Sequence, residues 1–285
     1  MFFSSHIKPK YRSNFRHALG KKYFIAKRYI MWLFGGIKFA EKRDTLLPHE
    51  HCAHATPLFR KLQHIAFASS NLAAIKDVDI KLQENKVVNL RIAVKKLNLV
   101  TLYPNETFSF WKLIGKPTKR KGYKEGMVLK SGQVTAATGG GMCQLSNLIY
   151  WLTIHTPLTI TERHRHGYDV FPDANRTQPF GSGATCFYNY GDLMIKNETA
   201  DIFQLHLNVT ERELKGAWKC DIPPIHNYEV YESEHLMKSE YWGGHTRRNV
   251  IRRKKFSLCG DLLDDEFVVE NCAIMMYSPF IAEKK

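Results

Sequence analysis

Apolar and polar positions recur with changing period along this chain, and each change of period marks an element. Over residues 85–99, Leu90, Val94 and Leu97 share one face at helical spacing, which predicts the first helix of the core. A second helix follows Cys143, where Leu145, Leu148, Ile149 and Leu152 form one apolar stripe that Pro157 brings to an end. Short strands are expected around 107–111 and in a hairpin through Val128 and Leu129, then Gln133 and Val134, turning at Ser131 and Gly132. Residues 192–196 and 202–209 alternate apolar with polar side chains around a polar turn at 197–201, which reads as a further hairpin. Residues 241–256 and 267–277 read as strands. The predicted class is α+β, with a few helices segregated from mostly antiparallel strands.

Three parts are expected: residues 1–56 as a basic arm, 57–216 as the core, and 217–285 as a β-rich extension. The chain has 285 residues, 44% of them hydrophobic, enough to bury a core or two. Its net charge of +15 is unevenly placed. Residues 1–43 hold eleven Lys/Arg against the single acid Glu41, and a second basic run extends from Arg247 to Lys255. Such asymmetry points to an acidic partner. The chain shows no zinc-finger spacing or RNP pattern, so nucleic acid is not the expected one. Between Tyr23 and Phe39, aromatic and aliphatic residues interleave with Lys27, Arg28 and Lys38, as in a helix lying in a membrane interface. Its apolar run from Tyr29 to Ile37 is too short to span a bilayer. A core helix is the competing reading.

The candidate chemistry lies at Thr138-Gly139-Gly140-Gly141-Met142-Cys143-Gln144-Leu145-Ser146, where three glycines run into a cysteine that opens the second helix. Glycines permit positive φ and close approach of a substrate. The first N–H groups of a helix lack intrahelical partners, so a cysteine there is expected to have a lowered pKa and to sit beside an oxyanion site. Ser146 falls one turn further along nearly the same face. A cysteine nucleophile needs a base, and His164 and His166 follow at i and i+2, so in an extended strand either could reach the thiol.

These residues, together with Tyr103-Pro104-Asn105-Glu106-Thr107-Phe108-Ser109-Phe110, Gly181-Ser182-Gly183-Ala184-Thr185, Asp192-Leu193 and Lys196-Asn197-Glu198-Thr199, carry a resemblance to the VanW family, known from vancomycin B-type resistance clusters. The resemblance covers roughly half the chain. It implies a role in cell-wall peptidoglycan metabolism, and some VanW-domain proteins are associated with cysteine-dependent L,D-transpeptidation. It favours His166 over His164 as the base. Many members carry aspartate where this chain has Gly183; if that aspartate orients the histidine, the third group is missing at that position, and Asp169, Asp173 or Asn175 are candidates to substitute for it.

Cys52, Cys143, Cys186, Cys220, Cys259 and Cys272 show no short repeating spacing, and a motif that needs a free thiol points to a reducing compartment. A cytoplasmic chain, peripheral at the inner membrane face, is therefore expected. His49-Glu50-His51-Cys52-Ala53-His54 is too crowded for a structural zinc spacing, so neither a metal nor a cofactor is assigned. Two functions remain. In the first, Cys143 attacks a peptidoglycan peptide carbonyl, a histidine carries the proton, and Gly139, Gly140, Gly141, Gln144, Ser146 and Arg163 hold the substrate. In the second, the chain is a non-catalytic accessory protein that binds a peptidoglycan precursor or an anionic surface.

Overall fold

The computed structural model describes residues 13–59, 72–130, 133–170 and 178–277. The chain opens with α1 (Asn14–Phe34), whose N-cap Ser13 accepts a hydrogen bond from the Arg16 amide. There follow β1 (Glu41–Lys42), β2 (His49–Pro57) and the long α2 (Leu72–Leu97). Next come β3 (Val100–Leu102), β4 (Thr107–Ser109), α3 (Phe110–Ile114), β5 (Glu125–Lys130) and β6 (Gln133–Thr138). After them α4 (Met142–Thr153) leads to β7 (Thr159–Glu162), β8 (Tyr168–Asp169) and β9 (Met194–Lys196). The chain then runs through β10 (Phe203–Val209), β11 (Glu213–Cys220), β12 (His226–Ser239), β13 (His245–Ser257) and β14 (Leu262–Met275). Helices and mostly antiparallel strands give the α+β class read from the pattern.

The central sheet has the order β1-β3-β10-β11-β2, antiparallel throughout. Side chains alternate across it. Leu205, Leu207, Leu214 and Trp218 are buried with Leu145, Leu148 and Leu152 of α4 and Leu90 and Leu97 of α2 in one core. Gly216 lies directly beneath α4, where an added Cβ would come within 2.8 Å of Leu152. The Trp218 indole N–H donates to Thr153 Oγ1 at 3.1 Å, so the bulkiest buried side chain of β11 also satisfies its polar atom on α4.

The sheets cross the expected divisions of the chain. β2 pairs with β11 along its length, and Ala40 is buried in the same core, so these residues belong to the body, to which α1 is fastened through Arg28 and Trp32. The β12-β13-β14 meander joins the core through β8, which lies parallel to β14. The hairpin expected across 197–201 does not form. β9 pairs with β4 and β7, whereas β10 pairs with β11 and β3. Buried Asn197 redirects the chain between these sheets: its side-chain amide donates to Leu102 O at 3.0 Å and Asp201 O at 2.7 Å, and its oxygen accepts from the Thr199 amide at 3.0 Å. The β5–β6 hairpin does form, with its tip at 131–132 outside the described residues.

The second basic run is not a free anion-binding surface. On β13, Arg252 Nε lies 3.0 Å from Asp265 Oδ1 and Arg253 Nε 2.5 Å from Glu266 Oε2, while Lys254 and Lys255 stand opposite Asp265 and Asp264 of β14. Cross-strand acids meet the charge that the sequence left without a neighbour.

Candidate functional site

Cys143 is the second residue of α4, behind Gly141, which serves as N-cap with φ of 97°. That left-handed turn lets β6 run straight into the helix. Each glycine of the run has a packing reason. An added Cβ at Gly139 would lie 2.6 Å from Pro117, at Gly140 2.1 Å from the Gly126 backbone, and at Gly141 2.2 Å from the Lys86 side chain. Asn89 of α2 fastens the same loop, donating to Gly140 O at 2.9 Å and to Lys124 O at 3.0 Å. The glycines therefore bring strand, helix and loop together, a use of close approach different from the expected access for a substrate.

The remaining expected substrate contacts are held internally. Gln144 donates to Pro57 O at 2.8 Å, and Ser146, fully buried, donates to Ala184 O at 2.7 Å. Arg163 clamps the 181–183 loop, donating to Gly183 O at 2.8 Å, Gly181 O at 2.5 Å and Asn271 Oδ1 at 3.0 Å, with its guanidinium 4.7 Å from the centre of the Tyr150 ring. The Lys86 ammonium, whose stem covers Gly141, donates to Leu58 O. These bonds fix the approach to α4 as a rigid junction.

The thiol itself departs from the expected activation. Cys143 is half-buried, and burial pushes its pKa above the ordinary value, with the Cys186 and Cys143 amides offsetting only part of the shift. Desolvation thus opposes the lowering expected of a cysteine at a helix N-terminus. His164 and His166 lie between β7 and β8 and not within a strand. His164 Nε2 is 2.7 Å from Glu162 Oε1, and His166 stands edge-on to Phe187 with ring centres 5.8 Å apart. Burial, and then Arg165, lowers the His166 pKa, which leaves it neutral near pH 7. Among the described residues no hydrogen bond joins either ring to Cys143. Asp169 is likewise committed elsewhere, to Tyr277 at 2.8 Å and Arg247 at 3.5 Å. Asp173 and Asn175 lie outside the described residues.

Around the thiol the structure assembles groups that the sequence gave no reason to join. Burial first, then the neighbouring Asp192 carboxylate and Cys143, raise the Cys186 pKa well above its ordinary value. Asp192 is fully buried, accepts from Ser109 Oγ at 2.5 Å and the Trp111 amide at 3.0 Å, and is pushed up to about 6, chiefly by burial. Glu162 goes the other way. Burial favours its neutral form, but hydrogen bonds from His164 and Arg28 prevail and bring it down to about 2. At Gly183, a Cβ would lie 2.5 Å from Asn147 Oδ1, the atom that accepts from the Ala184 amide at 2.8 Å. Asn147 thus uses the space beside Gly183 that a side chain at 183 would need.

Two cavities lie apart from the thiol. The larger, about 630 Å³, is an open groove at the central sheet, where Glu50, Asn98, His206, Asn208 and Lys215 surround small residues such as Ala53 and Ala217. Alternation from Leu214 and Trp218 places Lys215 and Ala217 on the face turned away from α4. The smaller, about 180 Å³, is bounded by His51, Phe203, Tyr228 and the Pro223-Pro224 turn.

Residues 85–219 match the family described as VanW like protein. The vancomycin B-type resistance protein VanW of Enterococcus faecalis is 34% identical over 199 residues, or 70% of this chain and 72% of that protein. The uncharacterized protein YoaR of Bacillus subtilis is 30% identical over 110 residues, or 39% of this chain and 35% of YoaR. No solved structure matches the chain. The family match contains the glycine-cysteine junction, both histidines and Asp192, while α1 and the β12-β13-β14 meander lie beyond it. On the identity and reach of the Enterococcus faecalis match, this chain belongs to the VanW family.

Proposed function

We propose that this protein serves glycopeptide resistance and peptidoglycan metabolism by binding, as an accessory protein that takes up peptide stems or their precursors without transforming them. One observation carries the reading: His164 bonds Glu162 and His166 stands edge-on to Phe187, and among the described residues neither ring hydrogen-bonds Cys143, whose pKa burial raises. An acyl transferase needs the thiolate and a base within hydrogen-bond reach. The groove carries Glu50 and Lys215, the latter 3.3 Å from Glu213, as charged groups for a zwitterionic peptide, with Asn98 and Asn208 as amide partners. The position of Cys143 at the second residue of α4 favours the acyl-transfer reading, so the experiment addresses both.

Alkylation of the native protein with iodoacetamide at mildly acidic pH, read cysteine by cysteine by mass spectrometry, separates them. Exposed Cys259 is expected to label first, with Cys143 at least about tenfold slower. In parallel, titration with soluble stem peptides should show saturable binding that Lys215→Glu weakens and Cys143→Ala leaves unchanged. Preferential labelling of Cys143, with product formation lost in Cys143→Ala, would overturn the proposal in favour of acyl transfer.

A further inference from the structure

The first helix presents its apolar side to solvent. Phe15, Leu19, Tyr23, Ile30, Leu33 and Phe34 are 76, 59, 62, 60, 72 and 80% exposed. Their spacing in α1 keeps them in one stripe. At about 100° per residue, Leu19 and Ile30 lie roughly opposite Arg28. Arg28 is the buried anchor of the helix, donating to Glu162 Oε2 at 2.6 Å and Oε1 at 2.5 Å. Tyr29 joins Tyr188 through their hydroxyls at 2.9 Å on the flank of the same attachment. The amphipathic helix is thus mounted on the protein by a polar contact, with its apolar stripe outward.

Charge selects the occupant of that stripe. Lys22 borders it on one side and Arg16 and Lys27 on the other, and residues 14–34 contain five Lys/Arg and no acid. A second copy of α1 laid on the stripe would bring lysines against lysines with no carboxylate on either helix to pair them. Anionic headgroups provide the missing counter-charge, and a row of Phe, Leu and Ile flanked by lysines suits the headgroup and acyl boundary. No helix among the described residues is long and apolar enough to cross a membrane, so the fit is to lying on the surface. We infer that α1 is an interfacial anchor that seats this protein on an anionic lipid bilayer, with the Arg28–Glu162 pair fixing the body to the anchor. The inference is independent of what the groove binds and of any chemistry at Cys143.

Co-sedimentation of the full chain with vesicles of phosphatidylcholine, with and without phosphatidylglycerol, tests it. Binding is expected to require phosphatidylglycerol at low salt and to weaken as salt screens the lysines. Leu19→Glu or Leu33→Glu should reduce it at least about tenfold, because each removes a large apolar side chain from the acyl boundary. Lys22→Ala and Lys27→Ala should each reduce it about fivefold. All four positions are exposed, so circular dichroism and thermal unfolding should remain those of the parent. Equal binding to both vesicle types, no binding to either, or insensitivity to Leu19→Glu and Leu33→Glu would overturn the assignment. So would a dimer in sedimentation that those substitutions dissolve without any vesicle binding by the parent, which would make the stripe a self-association face.

Discussion

Arg28 and Glu162, 134 residues apart in sequence, form a two-pronged ion pair, with Nη1 at 2.6 Å from Oε2 and Nη2 at 2.5 Å from Oε1. The arginine side chain is 8% exposed and the carboxylate 21%. Glu162 also meets His164 at 2.7 Å and the Asp192 amide at 2.9 Å, so one carboxylate ties α1, the histidine segment and the β9 approach together.

Arg28→Ala is expected to cost about 2 kcal/mol of stability, below the range for a wholly buried pair because the carboxylate keeps some water. Arg28→Lys should recover only part, since an ammonium cannot match both carboxylate oxygens with a planar fork. Urea unfolding of the three proteins at neutral pH checks this, and equal midpoints for Arg28→Ala and the parent would contradict it.

The two carboxylates give stability opposite dependences on pH. Glu162, brought from 4.5 to about 2, contributes stability that is full above 4.5 and lost as pH falls toward 2. Asp192, raised from 3.8 to about 6 mainly by burial, holds its proton more tightly in the folded state, so its effect on stability declines as pH rises from 3.8 through 6. The decline amounts to at most about 3 kcal/mol. Asp192→Asn should flatten that limb while leaving the acid limb in place. Urea midpoints measured across both windows decide it, and an unchanged slope between pH 4 and 6 would remove Asp192 as its source.

Gly183→Asp should destabilise the protein by about 1–3 kcal/mol, because its Cβ meets Asn147 Oδ1 at 2.5 Å. Asn147→Ala alone costs the bond to the Ala184 amide, about 1 kcal/mol. If the two side chains compete for one space, the double variant should be more stable than the sum of the single losses, with a coupling of about 1 kcal/mol or more. Thermal unfolding of the four proteins gives the cycle, and simple additivity would show that the residues do not compete.

The helix that carries Cys143 in its first turn was legible in the sequence because its apolar stripe, its glycine boundary and Pro157 all act locally. The extent of α2 was only partly so: its start at Leu72 precedes the strong stripe of Leu90, Val94 and Leu97. The turn around Asn197 has the composition of a hairpin, yet its side chain bonds Leu102 O across the fold, and no local pattern announces that. At the candidate site, sequence placed Cys143 at the helix start. Burial acts in the opposite direction on the thiol's pKa, and burial depends on what packs over the sulfur. The partners of Glu162 were hidden for the same reason: Arg28 is one basic residue among many until the fold brings it in. The basic run on β13 looked unpaired because its acids lie on the next strand.

The three glycines before Cys143 have a kinetic meaning as well. Gly139 seats against Pro117, Gly140 against Gly126, and Gly141 against Lys86 of α2, three partners from three separate stretches of chain. Apart from the approach of Gly140 to Gly126 at the base of the β5–β6 hairpin, the junction joins residues far apart in the chain, and contacts of that kind close only after long loops have lost their freedom. The start of α4 should therefore lock late in folding and release early in unfolding. Gly140→Ala would then accelerate unfolding far more than it slows folding, and stopped-flow measurements showing the reverse would place the junction in the folding nucleus. The glycine run inside the family match would be, in time, the clasp that closes the assembled domain.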